Sequence, residues 1–209
     1  SGGIRSAGIN MTNFHVDASN SKSCTDAVYA ERDCDIDGNS SVKVQPGNTA
    51  LNYYKFSGND NVINTKGTIQ GDINFFGESG YDEIARVLIK NGRFDGKIKN
   101  AQSVISDEEG NEESFTHLKL YGGSFSEQPD EAYIAKGYAV KATDDGRYVV
   151  DATEPLLQKI KELREEVAEA NDSLDADINV TNKKMYDIRE SLDAAEESLN
   201  DGVYEDGVE

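Results

Sequence analysis

Gly67-Thr-Ile-Gln-Gly-Asp-Ile73 is repeated, position for position, by Gly92-Arg-Phe-Asp-Gly-Lys-Ile98, 25 residues further along the chain. A third copy follows at an offset of 31, where Val87–Phe94 is matched by Leu118–Phe125. Each copy alternates apolar and polar residues, which predicts a strand with one buried face. Periods of this length indicate a solenoid. Because no copy contains a helical segment or the leucine-rich signature, we predict a mainly β protein, a right-handed parallel β-helix. The alternative is a β-sandwich whose strands are similar by coincidence.

The repeat extends more weakly into the first third of the chain. With one inserted residue, Ile9–Val16 aligns with Ile36–Val44, so that Phe14 and Val16 match two valines 28 residues later. Turns rich in Asn, Asp, Ser and Gly separate the apolar pairs. We therefore expect β-helix coils over residues 1–128.

Residues 129–152 are predicted to close the end of the solenoid. A short helix is expected around Glu131–Lys136. Ala139–Ala142 and Arg147–Val150 are predicted to form a hairpin, in which Asp145 and Gly146 supply the positive φ angles of a tight turn. Such a cap is needed because a terminal coil exposes strand edges.

After the hairpin, the apolar period changes from 2 to about 3.5, which predicts a long C-terminal α-helix. Thr153 is the expected N-cap, the helix occupies residues 153–201, and a flexible tail follows over residues 202–209. One apolar stripe on such a rod needs a partner to cover it.

A stutter between Leu174 and Ile178 interrupts the heptad pattern of this helix. We favour a parallel coiled coil between chains. The alternatives are a hairpin that folds back near residues 171–173, where poor helix formers cluster, and packing of the helix on its own β-helix. The seam that would join a homo-oligomer consists of Leu156, Ile160, Leu163, Val167, Ala170, Leu174, Ile178, Thr181, Met185, Ile188, Leu192, Ala195 and Leu199.

The charge balance narrows the classes of partner. The 209 residues include 40 acidic and 21 basic side chains, for a net charge of −19. This argues against nucleic acid and against an anionic membrane surface. No stretch of 18 apolar residues is present, so no membrane insertion is predicted. The chain starts at Ser1 without an initiator methionine or a signal peptide, and we interpret it as a segment of a longer protein.

The cysteines and one aspartate cluster are the candidates for structural chemistry. Cys24 and Cys34 leave a disulfide and two buried thiols equally open. The run Asp33-Cys-Asp35-Ile-Asp37-Gly resembles the opening of a calcium loop, in which alternate carboxylates supply oxygen ligands. The twelfth position of that loop is a valine instead of glutamate. We therefore predict a solvated strand face there and no metal or other cofactor, with calcium as the alternative.

The sequence offers little for catalysis. His15 and His117 are the only histidines, and no nucleophile, zinc or phosphate-loop motif is present. We predict no catalytic residues and no enzyme. The alternative is a polysaccharide lyase, since parallel β-helices host such enzymes. A cluster of basic residues would then hold a uronate substrate, although the same residues could equally be paired with acidic neighbours. The cluster consists of Arg86, Lys90, Arg93, Lys97 and Lys99.

The segment Gly122–Val150 resembles a terminal module of bacterial cell-surface β-helix proteins. It contains G-G-x-F-S, then an acidic stretch, Y-I-A-x-G-Y and D-G-x-Y-x-V. Upstream, Ala27–Ala30 and Cys34–Val44 are similar to coils of the same proteins. The resemblance implies a parallel β-helix, a secreted or cell-surface location and, for several members, carbohydrate binding; it implies no catalytic residues. The matching positions are Gly122, Gly123, Phe125, Tyr133, Ile134, Ala135, Gly137, Tyr138, Val140, Gly146, Tyr148 and Val150.

Taken together, the residues and the resemblance predict a non-enzymatic adhesion, carbohydrate-binding or stalk module with a coiled-coil segment for oligomerisation or spacing. Its partner would be a glycan or another host or cell-surface ligand. Tyr53, Tyr54 and Tyr81 are candidates for stacking on sugar rings, although paired tyrosines on a strand place one side chain inward. A trimeric phage or virus fibre segment is a further alternative, because such fibres join β-solenoids to coiled coils.

Overall fold

The computed structural model of the chain describes residues 3–54, 59–76, 85–106, 112–172 and 178–201. The chain divides into two compact units. The first contains Ser1–Ile134 and Val140–Asp151, and the second contains Ala135–Ala139 and Ala152–Glu209. The tail predicted over residues 202–209 and the candidate Tyr81 lie outside the described residues.

Strands dominate the chain as far as residue 152, and two helices follow. The elements are β1 (Ile4–Thr12), β2 (His15–Asp17), β3 (Asp26–Gly38), β4 (Ser41–Lys43), β5 (Thr49–Tyr53), β6 (Asn61–Gln70), β7 (Asp72–Phe75), β8 (Val87–Asp95), β9 (Ile98–Lys99), β10 (Gln102–Ser106), β11 (Glu112–Thr116), β12 (Leu118–Leu120), β13 (Ser124–Phe125), a 3₁₀ helix (Glu131–Tyr133), β14 (Tyr138–Ala142), β15 (Tyr148–Ala152), α1 (Glu154–Asp172) and α2 (Ile178–Asp201).

Parallel pairing between successive coils confirms the predicted β-solenoid. The strands stack in register along three faces, so that apolar side chains of one coil lie on those of the next. The first face, made by parts of β1 and β3 and by β5, β7 and β9, stacks Ile4, Val28, Leu51, Ile73 and Ile98. The second stacks Met11, Ile36, Ile63, Ile89 and Leu120. The third stacks Val16, Val42, Ile69, Phe94 and Phe125.

These inward rows form the core. Ile36, Leu51, Ile63, Ile69 and Ile89 are completely buried. Full burial of an aliphatic side chain of this size contributes roughly 1.5–3 kcal/mol relative to exposure. The rows therefore account for the alternating pattern in the sequence and for the cohesion between coils.

The offset of 25 in the sequence is the register of the fold. Ile69 pairs with Phe94 and Ile73 pairs with Ile98, as the repeat predicts. The later offset of 31 is also confirmed, because Phe125 pairs with Phe94. That coil is longer because an antiparallel hairpin, β10–β11, is inserted between the first and second faces.

The weaker alignment in the first third is wrong by two residues. Val16 pairs with Val42 instead of Val44, and Met11 pairs with Ile36. Phe14, which the alignment placed in a core row, is 49 % exposed. The error arose because Phe14 is apolar but lies in the bend between β1 and β2, where alternation no longer reports the buried face.

Glycines recur where the backbones of neighbouring coils come closest. A Cβ atom on Gly96 would clash with the carbonyl oxygen of Gly71, and one on Gly122 would clash with that of Lys90. Between the second and third faces, the buried hydroxyl of Thr65 donates to Ser40 O at 2.7 Å. The close approach of neighbouring backbones and the hydrogen bonds of buried hydroxyl groups therefore explain why glycine and small polar residues recur at the bends of the repeat.

The predicted cap is present as a hairpin of β14 and β15, and β15 pairs antiparallel with β13 of the last coil. Arg147, immediately before β15, is buried and anchors the hairpin to that coil. Its guanidinium donates to Asp95 Oδ1 at 2.5 Å, to Ser124 Oγ at 2.6 Å and to the carbonyl oxygens of Phe94 and Ser124. The short helix is a single 3₁₀ turn, capped by Asp130.

The single long helix predicted over residues 153–201 is wrong. In the part of this segment that the structure describes, two helices, α1 and α2, pack against each other. Because only five residues join them, they form an antiparallel hairpin, the alternative suggested by the poor helix formers near residue 172. In the described part of the seam, Leu156, Ile160, Met185 and Ala195 are buried, so the apolar stripe is partly covered within one chain.

Candidate functional site

The exposed position predicted for Tyr53 is wrong. Its side chain is 0 % exposed, its ring stacks on Phe75 at 5.8 Å between centroids, and its hydroxyl donates to Cys34 O at 3.3 Å. Burial raises the pKa of this phenol. Tyr53 therefore supports the core beneath the first face and is not available to a ligand.

Tyr54 lies on the outer surface and belongs to a row of three stacked rings. Its centroid is 6.0 Å from that of Tyr29 on the preceding coil and 5.6 Å from that of Phe76 on the following coil. Tyr29 and Tyr54 are half-buried, whereas Phe76 is 47 % exposed. We call Tyr29, Tyr54 and Phe76 the aromatic row. The Arg5 guanidinium covers the end of the row, 5.0 Å from the Tyr29 centroid.

A second row, of amides, follows the same strands. The Asn52 amide donates to Asp26 Oδ1 at 3.0 Å, Asn74 donates to Asn52 Oδ1 at 3.0 Å, and Asn100 donates to Asn74 Oδ1 at 2.8 Å. We call Asn52, Asn74 and Asn100 the amide row. Each amide has two N–H groups and two oxygen lone pairs, and a link along the row uses one of each. Donor and acceptor capacity therefore remains at Asn52 and Asn74.

The two rows lie side by side on the first face. Asn52 and Tyr54 are two residues apart, as are Asn74 and Phe76, and residues at this spacing point to the same side of a strand. The two rows run in parallel from Asn52 and Tyr54 to Asn74 and Phe76, on coils about 4.8 Å apart, whereas Tyr29 on the preceding coil is in register with Asn52. The face thus combines a line of amide donors and acceptors with a line of aromatic groups, oriented along the solenoid axis.

Charges on this face are largely paired. Arg5 forms a salt bridge with Glu31 at 2.6 Å, and Lys99 forms one with Asp72 at 2.5 Å. The nearly buried Asp72 also accepts a hydrogen bond from the backbone N–H of Lys97. Asp26 is a further carboxylate on this face and accepts its hydrogen bond from the Asn52 amide.

The basic cluster considered for a lyase is occupied by carboxylates. Arg86 pairs with Asp60, Arg93 with Asp95, Lys97 with Glu127 and Lys99 with Asp72. These contacts match the interpretation of the cluster as partners of acidic neighbours and leave little free positive charge for a uronate.

His117 and Ser103 come together, although sequence separation hid their proximity. Ser103 Oγ lies 2.6 Å from His117 Nε2, and the ring is buried beside Phe75 and Phe115. Burial lowers the pKa of His117 to about 4, and Arg86 adds to the effect. Among the described residues, His117 Nδ1 has no hydrogen-bond partner. Within the described residues, no third group orients the ring through Nδ1, and the low pKa makes the ring a weak base.

The aspartates of the calcium-like motif lie along one strand, β3, with their side chains on its outer side. Between them, Cys34 and Ile36 point into the core. Asp35 accepts a hydrogen bond from Val62 N at 2.7 Å, and Asp37 accepts one from Gly38 N. Over the described part of the chain, no three His, Cys, Asp or Glu side chains form a metal-binding group.

The two cysteines are free thiols and both are buried. Burial raises the pKa of Cys34 to about 12. Both side chains therefore fill the core of the second coil, which is one of the two interpretations that the sequence left open.

The sequence contains a signal for the two rows that the search for single exposed tyrosines does not detect. Leu51-Asn-Tyr-Tyr54 is matched by Ile73-Asn-Phe-Phe76, in the pattern aliphatic, asparagine, aromatic, aromatic. The first and third residues of each segment point inward and are buried, while the second and fourth form the amide and aromatic rows. Comparing these segments would have found Asn52, Asn74 and Phe76 as well as Tyr54.

Comparison with known proteins adds no relative: no family model, no curated protein and no solved structure matches the chain significantly. Neither of the described helices combines the length and the apolar character that a membrane crossing requires.

Proposed function

We propose that the chain is a non-enzymatic recognition module of a secreted or cell-surface bacterial protein, in which a right-handed parallel β-helix binds a glycan on its first face. The observation that supports this proposal is the amide row beside the aromatic row. The resemblance of Gly122–Val150 to cell-surface β-helix proteins supports the location, and the right-handed sense follows from the general preference of parallel crossover connections.

The amide row suits the polar groups of a sugar. A hydroxyl both donates and accepts, and the remaining N–H and oxygen lone pair of an amide offer the matching pair of contacts. Because Asn52 and Asn74 are held by hydrogen bonds along the row, a ligand would not have to order them. Such preorganisation lowers the entropic cost of binding.

The aromatic row limits how a sugar can approach. The rings of Tyr54 and Phe76 are inclined by only 24° and stack on each other, so their faces are largely occupied by neighbouring rings. A sugar ring would therefore lie against the exposed edges of the row, and the aromatic groups would supply an apolar wall beside the amides. This geometry favours an extended chain over a single sugar sandwiched between rings.

The charge of the face selects among glycans. Glu31 and Asp72 are paired with Arg5 and Lys99, and Asp26 stands as a carboxylate at the end of the amide row, so the face offers no excess of positive charge for an anionic glycan. A polyuronate would meet a protein with a net charge of −19, which repels it. We therefore assign a neutral glycan to this face.

The helical hairpin serves in this proposal as a spacer or an oligomerisation segment. Leu157 is 48 % exposed and Tyr186 is 62 % exposed, so apolar surface remains on α1 and α2 for association with another chain. This role is independent of the first face.

A glycan array followed by calorimetry tests the proposal. Neutral polysaccharides should bind the wild-type protein, and Phe76→Ala and Asn74→Ala should each weaken binding about tenfold, because they interrupt the two rows. Asn64→Ala removes an exposed asparagine from the second face, away from the rows, and should leave binding unchanged. Absence of binding to any glycan at millimolar concentration would remove the carbohydrate role.

A further inference from the structure

Three side chains occupy equivalent positions on successive coils, where the second face bends towards the third. Asp37 is in register with Asn64, and Asn64 is in register with Asn91. All three side chains are exposed to solvent. We call Asp37, Asn64 and Asn91 the corner row. They differ in the next residue, which is glycine after the first and the last and threonine after the second. The row therefore offers the same place in the fold with and without a following glycine.

The backbone nitrogen of Gly92 lies against the side chain of the residue before it. Gly92 N–H donates to Asn91 Oδ1 at 2.8 Å. Among the described residues, Gly92 has no register partner on either neighbouring coil, because the ladder passes from Asn91 to Arg93. Asn91-Gly92 is also the one Asn-Gly pair in the chain. The hydrogen bond holds the nitrogen beside the amide carbonyl, which are the two groups that join when asparagine closes to a five-membered imide.

The residue after the asparagine decides whether the nitrogen can approach. Gly92 has a φ angle of 142°, which L side chains rarely adopt, and it has no Cβ atom to crowd the preceding amide. Thr65 is β-branched and buried, and its hydroxyl donates to Ser40 O at 2.7 Å and accepts from Gly67 N at 3.0 Å. This anchored side chain fixes and crowds the backbone that follows Asn64.

We propose that Asn91 is a site of spontaneous modification, at which the Gly92 nitrogen attacks the side-chain amide of Asn91 in the folded protein. The new bond joins Gly92 N to Asn91 Cγ, and the bond from Cγ to Nδ2 breaks. The proton of the Gly92 nitrogen leaves with Nδ2 as ammonia. Water then opens the resulting succinimide at either carbonyl, which gives aspartate or isoaspartate. The reaction needs no cofactor or oxidant, and this inference does not rest on glycan binding.

The products change both the charge and the backbone of this corner. Either product replaces a neutral amide by a carboxylate. Isoaspartate also routes the main chain through Cβ, which adds a carbon between Ile89 of the second face and Phe94 of the third. Both of these side chains are at most 3 % exposed, so closely packed rows lie on each side of the added carbon. The isoaspartate form should therefore unfold at a lower denaturant concentration than the unmodified protein.

The other members of the corner row are internal comparisons. Gly38 N donates to Asp37 Oδ1 in the same way. The same ring can close there with loss of water, but an ionised carboxylate is a poorer electrophile than an amide, so Asp37 should isomerise more slowly than Asn91 reacts. Asn64 has the amide but no following glycine, and it should stay intact on the same timescale.

Peptide mapping by mass spectrometry tests the proposal on the folded full chain, incubated at neutral pH. Asn91 should exchange NH₂ for OH at least about tenfold faster than Asn64, with aspartate and isoaspartate as products. A parallel sample unfolded in guanidinium chloride measures the contribution of the fold. Because the hydrogen bond keeps the reacting groups together, the folded protein should react at least as fast as the unfolded chain. A slower reaction in the folded protein, or one no faster than that of Asn64, would overturn the proposal.

Two variants at the same position complete the test. Asn91→Gln lengthens the side chain so that the five-membered ring cannot form, and the release of ammonia from this peptide should fall at least about tenfold; release at the wild-type rate would also overturn the proposal. Asn91→Asp carries the aspartate product from the start. Its unfolding midpoint separates the effect of the charge from that of the isoaspartate backbone, so incubated wild-type protein rich in isoaspartate should unfold at a lower denaturant concentration than fresh Asn91→Asp.

Discussion

The two ends of the solenoid are built on the same coil, and they differ in what lies beyond it. At the far end, an antiparallel hairpin covers the last coil and Arg147 ties it down with hydrogen bonds to Asp95, Phe94 and Ser124. At the near end, β1 is paired on one side within the described chain. Closing the far end of the solenoid therefore takes a distinct element with its own polar anchor.

The largest difference between the ends should appear when the third-face row is truncated. Phe125→Ala at the capped end removes a buried ring that stacks on Phe94 at 4.9 Å. We expect a loss of about 3–4 kcal/mol in the free energy of unfolding, as for other buried phenylalanines. Val16→Ala, a half-buried residue of the same row on the first coil, should cost about 1 kcal/mol or less. Urea unfolding of both variants measures the contrast, and equal losses would show that the first coil is packed as tightly as the last.

The anchor itself should have the next largest effect. Arg147→Ala leaves Asp95 and several carbonyl groups without their buried donor, and we expect a loss of about 3 kcal/mol. Arg93→Ala is the matched control, because Arg93 contacts the other oxygen of Asp95 at 3.3 Å from an exposed position. That substitution should cost less than about 1 kcal/mol. Thermal and urea unfolding distinguish the two, and a small effect of Arg147→Ala would mean that strand pairing alone holds the cap.

A smaller effect should follow from the buried histidine of the last coil. The pKa of His117 is about 4 in the folded protein and about 6.5 in an unfolded chain. The unfolded state therefore takes up the proton first, so the stabilising contribution is complete above pH 6.5 and is lost as the pH falls towards 4. Between pH 7 and pH 5 we expect a loss of about 1–2 kcal/mol.

His117→Gln should remove this loss, since glutamine does not titrate. Most carboxylates titrate below pH 5, so the difference between the wild-type and variant unfolding curves in this window reports the histidine. Parallel pH profiles for the two proteins would contradict the assignment.

The sequence predicts the parts of the fold that repeat, because stacking places equivalent residues at equivalent positions. The register of Ile73 with Ile98 and of Phe94 with Phe125 follows directly from the repeat. The first coil was misaligned because Phe14 is apolar and yet exposed in a bend. Local alternation reports which side of a strand is buried, and it says nothing reliable about bends.

The candidate site was only partly predictable. The sequence identifies Tyr54 as a candidate because it is aromatic, but alternation alone leaves open which of two adjacent tyrosines points inward. The amide row depends on contacts between coils, as between Asn74 and Asn100, and only the register brings those residues together. The helical hairpin was similarly ambiguous, because a seam of apolar residues fits a partner from either the same chain or another.

The connection between the first and second faces lengthens from coil to coil. Stacked residues bound it at Ala30 and Ile36, then at Tyr53 and Ile63, then at Phe75 and Ile89, and the last coil inserts the β10–β11 hairpin at the same corner. Because the core rows keep their register regardless, this corner accepts changes in length at little cost to the rest. Natural variation can therefore remodel the surface bordering Tyr54 and Phe76 while the scaffold beneath it stays constant.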